Sequence, residues 1–254
     1  MNSNRLRKII FGVSLIITIV CILILVGMFA SPNINTDDYK VTTPSASSVE
    51  TEIQSETPDN PINFKKLKKK NSDIHAWITI PGTDIDYPVA QSSIDEADDF
   101  YLNHGIDKKY LFAGTIYTEK KNSIYFTDPV TVLYGHNMLN GTMFAQLHKF
   151  KDPKFFKKHD TITIYLPKHI LTYKIVSAYV YDDRHILNTF NFNTKKGIKK
   201  YIKTVNNPKS ITQNVREDFK ATVDDRIITL STCTSVDSQR YLVQGVLIND
   251  ELTK

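Results

Sequence analysis

The sequence predicts a mainly β exported domain, an antiparallel barrel or sandwich decorated with helices, behind an N-terminal transmembrane helix. Three observations support this fold class. The chain opens with a long uncharged apolar run, continues with a polar segment, and from residue 74 onward repeats short stretches of alternating apolar and polar residues. Many short strands with few helices are typical of a closed or two-layered β fold. The 254 residues, 41% of them hydrophobic and 23% charged, suffice for one sizeable domain.

The first element is a predicted membrane anchor. From Ile9 to Ala30 the chain has 22 residues without a charge, which at 1.5 Å per residue span about 33 Å, enough for the hydrocarbon core. Arg5, Arg7 and Lys8 precede the run, so residues 1–8 are expected in the cytoplasm and the rest outside. A cleaved signal peptide ending near "MFAS" is the alternative, although its apolar core would exceed the usual 7–15 residues.

The next 30 residues predict a disordered linker. Residues 31–60 are rich in Ser, Thr, Pro and acidic residues and nearly free of large apolar ones. The predicted domain, 61–254, holds 28 of the 32 Lys and Arg residues and 21 of the 27 Asp and Glu residues, a net charge of +7 with His neutral. A basic exported domain suits an anionic cell envelope. The positive charge is the sole argument for nucleic-acid binding. We do not expect such binding outside the cell.

Strand signals dominate the domain itself. The stretch "AWITIPGTDIDYPVA" alternates around a Pro-Gly turn, "TITIYL" and "LTYKIVSAYVYD" flank "PKH" as a hairpin, and "RIITLST" and "YLVQGVLI" form a final pair. Helical periodicity is confined to short segments. Behind a possible N-cap at Asn63 comes "FKKLKKKNSD", and later come "GTMFAQLHKF", "PKFFKKH" and "TKKGIKKYIKTVNN". In the last of these, Ile198, Tyr201, Ile202 and Val205 share one face.

The chain has only two cysteines, and they cannot pair. Cys21 lies in the predicted membrane span and Cys233 lies at the end of the strand "RIITLST". An unpaired cysteine is unusual in an oxidising compartment, so Cys233 is a candidate reactive thiol. The alternative is a buried, inert cysteine, the commoner fate of a free thiol.

A nucleophilic thiol requires ionisation, and a nearby histidine is the usual means. Of seven histidines, His136 stands out because it ends the apolar strand in "TVLYGHNMLNGTMF" and leads into a Gly-containing turn. Scaffolds often present catalytic side chains at such strand ends. The other six have polar or helical surroundings in which solvent exposure is expected, namely His75, His104, His148, His159, His169 and His185.

Two motifs and the order of several others resemble the sortases, the cell-wall transpeptidases of Gram-positive bacteria. The motifs are "TLSTC" (229–233) and "YGHNM" (134–138), with an arginine, Arg240, opening the last strand. The segments "WITIPGTDIDYPVAQ", "FYLNHG", "AGTIYTE", "GTMFAQL" and "FKDPKFFKKHD", together with a helix-forming insert at 194–206, are similar to class B members. The resemblance covers nearly the whole exported domain. The step from Cys233 to Arg240 is slightly shorter than in class B members.

The resemblance implies a sortase-type closed β-barrel of about eight strands, in a monomeric domain. It implies that Cys233 is the nucleophile, that His136 transfers protons, and that Arg240 stabilises the oxyanion or positions peptide carbonyls. The substrate would be a surface protein with a C-terminal sorting motif of the NPxTx or SPxTG kind, cut after Thr. The acceptor would be an amine of peptidoglycan or its lipid-linked precursor. Three further residues are candidates for substrate binding: Leu102, Ser231 and Thr232.

Two other functions stay open at this point. One is a different cysteine enzyme, an L,D-transpeptidase or papain-like hydrolase, although the 97 residues from His136 to Cys233 do not fit their usual order. The other is a non-catalytic, membrane-tethered binding module with a buried Cys233. No His, Cys or Asp cluster has ligand spacing for zinc and no acidic cluster suggests calcium, so neither a metal nor a cofactor is expected.

Overall fold

The computed structural model describes residues 3–29, 36–41 and 57–254 of the chain. Its centre is a single β-sheet. The strands, in chain order, are β1 (Ile74–Thr79), β2 (Asp86–Gln91), β3 (Ile116–Thr118), β4 (Val130–Tyr134), β5 (Thr161–Leu166), β6 (His169–Asp182), β7 (Gln213–Val215), β8 (Ile227–Cys233) and β9 (Gln239–Leu252).

The sheet closes on itself. Its strand order is β5-β1-β2-β3-β4-β8-β9-β6-β7, and β5 also pairs with β6. Eight strands therefore form a closed ring, and β7 lies outside it as an extra edge strand on β6. The mainly β fold and the closed barrel of about eight strands are confirmed.

The purely antiparallel arrangement that the sequence predicts is wrong at two places. β2 pairs with β3 in parallel, and β4 pairs with β8 in parallel. Parallel neighbours need long crossover connections, and β4 and β8 are separated by the whole segment from β5 to β7. The alternation of apolar and polar residues identifies individual strands and neighbouring hairpins. It contains no information on which distant strands pair in parallel, so these two pairings could not be predicted.

The predicted hairpins form where the local sequence favours them. β1 and β2 pair antiparallel across the Pro-Gly turn, and β5 and β6 pair from Leu166 opposite His169. β8 and β9 are the predicted final pair. β3 and β7, of three residues each, are too short to give an alternating signal and were not predicted.

The helices are peripheral to the barrel. They are α1 (Ser3–Phe29), α2 (Phe64–Lys70), α3 (Pro153–Lys158), α4 (Ile186–Thr189), α5 (Lys195–Asn206) and the 3-10 helices η1 (Thr36–Tyr39), η2 (Phe100–Leu102) and η3 (Phe144–Lys151). The Asn63 side chain caps α2 by accepting from the Lys66 N–H, as predicted. α5 buries the predicted apolar face against the outside of the barrel. Its Tyr201 hydroxyl also hydrogen-bonds Thr229 of β8 at 2.6 Å.

At the N-terminus, α1 covers most of the predicted anchor. Within the described ranges, none of the helices has the length and apolar character that a membrane crossing requires.

Part of the predicted linker packs against the barrel domain. The Val41 N–H donates to Pro61 O and the Asn63 N–H donates to Tyr39 O, both at 2.8 Å. Lys40 forms an ion pair with Asp86 of β2. Residues 36–41 therefore contact the domain, and Tyr39 packs against the apolar cluster around α2. Residues 57–60 are described too, and Asn60 Nδ2 donates to Leu166 O at 2.6 Å. The remaining parts of the predicted linker, 31–35 and 42–56, lie outside the described residues.

The core fills the barrel. The interior cluster combines inward-facing strand residues with the buried side of η3, including Phe144, Leu147 and Phe150. A second cluster lies between α5 and the outer face of β4, β6, β8 and β9. β8 is thus packed on both faces, which explains why six of its seven residues are buried and only Cys233 is exposed.

Candidate active site

Cys233 and Arg240 lie directly opposite each other at the open end of the β8–β9 pair. Further along the same pair, the Leu247 N–H donates to Arg226 O, so Arg226 and Leu247 are a hydrogen-bonded pair. Bonded and non-bonded pairs alternate along an antiparallel ladder. Cys233 and Arg240 therefore form a non-hydrogen-bonded pair, the type in which opposing side chains are closest.

His136 reaches the same place from the other side of β8. β4 runs parallel to β8 with Tyr134 beside Ser231, and the Gly135 N–H donates to Ser231 O at 3.2 Å. His136 and Cys233 each lie two residues beyond this register, and both line the same cleft. Cys233 thus lies between His136 and Arg240.

Gly135 permits this approach. A Cβ at Gly135 would come within 2.5 Å of Ile116 Cδ1 and 2.8 Å of the Phe144 ring. Separations under 3.0 Å force something to move, so any larger residue here would displace Ile116, Phe144 or the backbone beside His136. On the far side of the histidine, the Phe144 N–H donates to His136 O at 3.0 Å. The backbone of His136 is therefore held on both sides.

The His136 ring is half-buried, which affects its protonation. It stacks on Phe112, with ring centroids 5.5 Å apart and planes 10° from parallel. Burial lowers the pKa of His136 below its ordinary value of 6.5, and a hydrogen bond to the Leu102 backbone carbonyl offsets only part of this effect. His136 is accordingly a neutral imidazole at neutral pH.

Leu102 lies in the wall of the cleft, as the resemblance implies. It ends η2, and Gly114 packs against its backbone. Gly114 has φ +62°, and a Cβ there would lie 2.2 Å from Leu102 O. The Thr115 N–H also donates to Tyr101 O at 2.9 Å. These contacts fix the Leu102 carbonyl where it can accept from His136.

The two predicted residues beside the thiol also line the cleft. Ser231 is 5% exposed and Thr232 is 2% exposed, so their contribution to a substrate surface is small. Thr232 Oγ1 has no hydrogen-bond partner among the described residues. Ser231 and Thr232 therefore form part of the buried base of the cleft next to Cys233.

Arg240 is tied to the short loop between β8 and β9. Its Nη1 donates to Asp237 O at 2.7 Å and to Gln239 O at 2.9 Å. The loop is also closed on itself, because the Thr234 hydroxyl accepts from the Val236 N–H at 3.0 Å. The seven-residue step from Cys233 to Arg240 therefore forms a compact turn whose carbonyls hold the guanidinium in place.

The three side chains open into a cleft of about 420 Å³. The cleft lining also includes residues that the sequence did not point to, among them Glu119 and His185. Glu119 is buried in the cleft wall, and His185 Nε2 lies 2.6 Å from Glu119 Oε1. Glu119 ends the motif "AGTIYTE", so the motif was noticed without its carboxylate being identified as part of the site.

Exposure was also predicted wrongly for other histidines. His75 is buried inside the fold and hydrogen-bonds Ile124 O and Thr118 Oγ1, both at 3.1 Å. Burial lowers the pKa of His75 to about 4. His148 is half-buried, and its Nε2 lies 3.1 Å from Cys233 O.

The binding-module alternative requires that Cys233 is buried and inert. Cys233 is exposed in the structure, which does not fit this alternative. Among residues 3–29, 36–41 and 57–254, no three His, Cys, Asp or Glu side chains are grouped so that they could hold a metal ion.

Comparison with known proteins identifies the family. The family model for the sortase domain matches residues 78–248. A sortase B from Listeria monocytogenes is 34% identical over 194 residues, covering 73% of this chain and 74% of that protein.

Solved structures agree with the sequence matches. Clostridium perfringens sortase B superposes with a TM-score of 0.66 at 34% identity, covering 73% of this chain and all of that one. A Staphylococcus aureus sortase B–substrate complex gives a TM-score of 0.65 at 28% identity, covering 76% of this chain and 87% of that one.

Proposed function

Because the chain belongs to the sortase family and is a cysteine transpeptidase, we propose that it cuts the C-terminal sorting motif of surface proteins and transfers them to an envelope amine. Cys233 is the nucleophile of this reaction, His136 the proton carrier and Arg240 the oxyanion or carbonyl ligand. Leu102, Ser231 and Thr232 line the peptide groove.

One observation supports these roles above all others. Three adjacent strand ends place an exposed cysteine between a half-buried histidine and an arginine. A thiol needs a base within reach, and an acyl transfer needs positive charge where the carbonyl oxygen becomes negative. β4, β8 and β9 supply these three groups from neighbouring positions.

In the first half-reaction, neutral His136 takes the proton of Cys233 and the thiolate attacks the threonine carbonyl. The carbonyl oxygen becomes an oxyanion beside Arg240, whose Nε and Nη2 are not used by its loop hydrogen bonds. The carbon–nitrogen bond then breaks, and His136 returns the proton to the leaving amine. The products are a thioester on Cys233 and the released C-terminal fragment.

In the second half-reaction, an amine attacks the thioester. His136 removes a proton from the attacking nitrogen, the new amide bond forms, and the carbon–sulfur bond breaks. The proton returns to the thiolate, so the enzyme is regenerated without any cofactor. Water in place of the amine would give hydrolysis by the same steps.

The substrate is a peptide of the NPxTx or SPxTG kind, and the acceptor is an amine of peptidoglycan or its lipid-linked precursor. A class B relative, the Staphylococcus aureus enzyme, has been solved with a substrate, which supports a peptide in the matching groove. The net charge of +7 on residues 61–254 favours work near an anionic envelope.

The protein works at the cell surface, held by a single N-terminal membrane helix with its first residues in the cytoplasm. The sequence supports this location through the 22 uncharged residues from Ile9 to Ala30 and the three basic residues before them. The domain itself acts as a monomer.

A fluorogenic peptide panel tests the proposal. The full chain is incubated with peptides of both motif kinds, with and without an added amine, and both cleavage and amine transfer are followed. We expect cleavage after Thr and transfer that depends on the amine. Cleavage at another bond, or cleavage that persists in Cys233→Ala, would refute the proposed function.

A further inference from the structure

The backbone carbonyl of the proposed nucleophile has a side-chain partner that the proposed reaction does not use. His148 Nε2 lies 3.1 Å from Cys233 O, across 85 residues of sequence. A carbonyl oxygen only accepts hydrogen bonds, so Nε2 must be the donor. The contact therefore fixes the histidine as the Nε2–H tautomer.

This hydrogen bond continues the β4–β8 ladder beyond the end of β4. Along a strand, every second carbonyl points to the same edge. On the edge facing β4, Ser231 O accepts from the Gly135 N–H, and the next carbonyl on that edge is Cys233 O. At this position His148 supplies the donor in place of a strand backbone, so the peptide plane after Cys233 is held as a strand would hold it.

The element that carries His148 is firmly attached. η3 buries Phe144, Leu147 and Phe150 in the barrel interior. Its first N–H, from Phe144, donates to His136 O. One short helix therefore binds the backbone carbonyls of His136 and Cys233, the former through the Phe144 N–H and the latter through the His148 side chain.

The surroundings of His148 keep its ring neutral and packed in place. Its ring lies against Tyr241, with centroids 5.0 Å apart. Burial first, and the nearby Lys151 charge second, lower its pKa. A neutral ring with Nε2–H fixed by Cys233 O is a rigid donor, which a freely rotating exposed histidine would not be.

We propose that His148 is a positioning residue that, together with the Phe144 N–H, sets the placement of Cys233 relative to His136. Holding the Cys233 carbonyl fixes the backbone from which the thiol projects and the start of the loop that leads to Arg240. Small displacements of reacting groups cost large factors in rate. This inference rests on the proposed roles of Cys233 and His136.

Two substitutions separate positioning from packing. His148→Phe keeps a ring against Tyr241 and removes the donor, whereas His148→Gln keeps an N–H donor at similar reach. His169→Phe is the matched control, because His169 pairs with Asp250 on the β6–β9 pair, away from the cleft. All are made in the full chain carrying Cys21→Ser, so that Cys233 is the only thiol.

The measurements are kcat and KM for peptide cleavage, the alkylation rate of Cys233 by iodoacetamide, and the melting temperature. We expect His148→Phe to lose about tenfold in kcat, which corresponds to about 1.4 kcal/mol of barrier, with KM changed by less than about twofold. Alkylation should slow in parallel. His148→Gln should recover most of the rate, and His169→Phe should resemble the parent.

A fully active His148→Phe would overturn the inference, and so would a His148→Gln variant that is as slow as His148→Phe at unchanged melting temperature. The parent and Cys233→Ala distinguish this failure from that of the proposed function. If the parent cleaves and Cys233→Ala does not, the function stands and only the role of His148 is rejected.

Discussion

Arg240 offers the sharpest test of the site, because its structure assigns different tasks to different nitrogens. Nη1 is committed to two loop carbonyls, Asp237 O and Gln239 O. Nε and Nη2 are not used by these bonds, and in the proposed reaction they face the substrate. Arg240→Lys keeps the positive charge but replaces this planar fork with one compact ammonium group, and Arg240→Ala removes both tasks.

The two tasks differ in size. An oxyanion donor in a preorganised site is worth about 2.7–4 kcal/mol, or about 10²–10³ in turnover. The loop hydrogen bonds are partly open to water, which can replace them, so each contributes about 0.5 kcal/mol, at the low end of the usual range. In a domain of this size a loss of about 1 kcal/mol lowers the melting temperature by about 2–4 °C.

We therefore expect Arg240→Ala to lose about 10²–10³ in kcat and only a few degrees in melting temperature. Arg240→Lys should lose at least about tenfold in kcat and less stability, because the ammonium group can still reach one loop carbonyl. Both quantities are measured on the same preparations, with peptide cleavage for the rate and thermal unfolding for the stability.

Two results would contradict this reasoning. A fully active Arg240→Lys would reduce the residue to a generic positive charge. A melting temperature that falls by more than about 10 °C in Arg240→Ala, in step with activity, would make the loop its main role.

Three further predictions use other parts of the site. Cys233→Ala and Cys233→Ser should both retain less than about one-tenth of the cleavage rate at an unchanged melting temperature. The serine variant is included because a hydroxyl beside one histidine is a far weaker nucleophile than a thiolate. A more active alanine variant would place the nucleophile elsewhere. Burial lowers the pKa of His136, so the acid limb of the kcat/KM profile should lie below pH 6.5. Phe112→Ala exposes the His136 ring and should move this limb to higher pH. A limb that does not move would mean that another group titrates there. The pKa of His75 is about 4 in the folded state and about 6.5 in the unfolded state. As the pH drops, the unfolded state therefore takes up this proton first. The free energy of unfolding consequently falls between pH 6.5 and pH 4. By pH 4.5 the free energy of unfolding should have fallen by about 2–3 kcal/mol through His75. In urea unfolding, the His75→Gln variant should not show this part of the pH dependence.

The local parts of the fold could be predicted from the sequence because they depend on local patterns. The buried face of α5, the cap at Asn63 and the β8–β9 pair all follow from residue spacing within about 25 positions. In the structure, this pair brings Cys233 opposite Arg240. The end of an apolar strand singled out His136, the resemblance added Leu102, and the structure places both at the same cleft.

What the sequence could not reveal are contacts between distant segments. The parallel β4–β8 pair, which makes His136 a direct neighbour of Cys233, leaves no periodic signal in either strand. His148 stands in a polar helical segment that predicts exposure, and its contact with Cys233 O depends on how η3 docks. His75 is buried by contacts with Thr118, Ile124 and Phe126, which lie more than 40 residues away in sequence.

The position of β8 in the ring also governs when the protein can become reactive. β8 and β9 fill the gap between β4 and β6, so the ring stays open until these last two described strands have been added. Pairings between segments far apart in sequence form slowly, because the intervening chain must first lose much of its freedom. The thiol, the imidazole and the guanidinium are therefore brought together only when β4, β8 and β9 have paired. A chain in which these strands have not yet paired carries the cysteine without the two side chains that the proposed reaction requires.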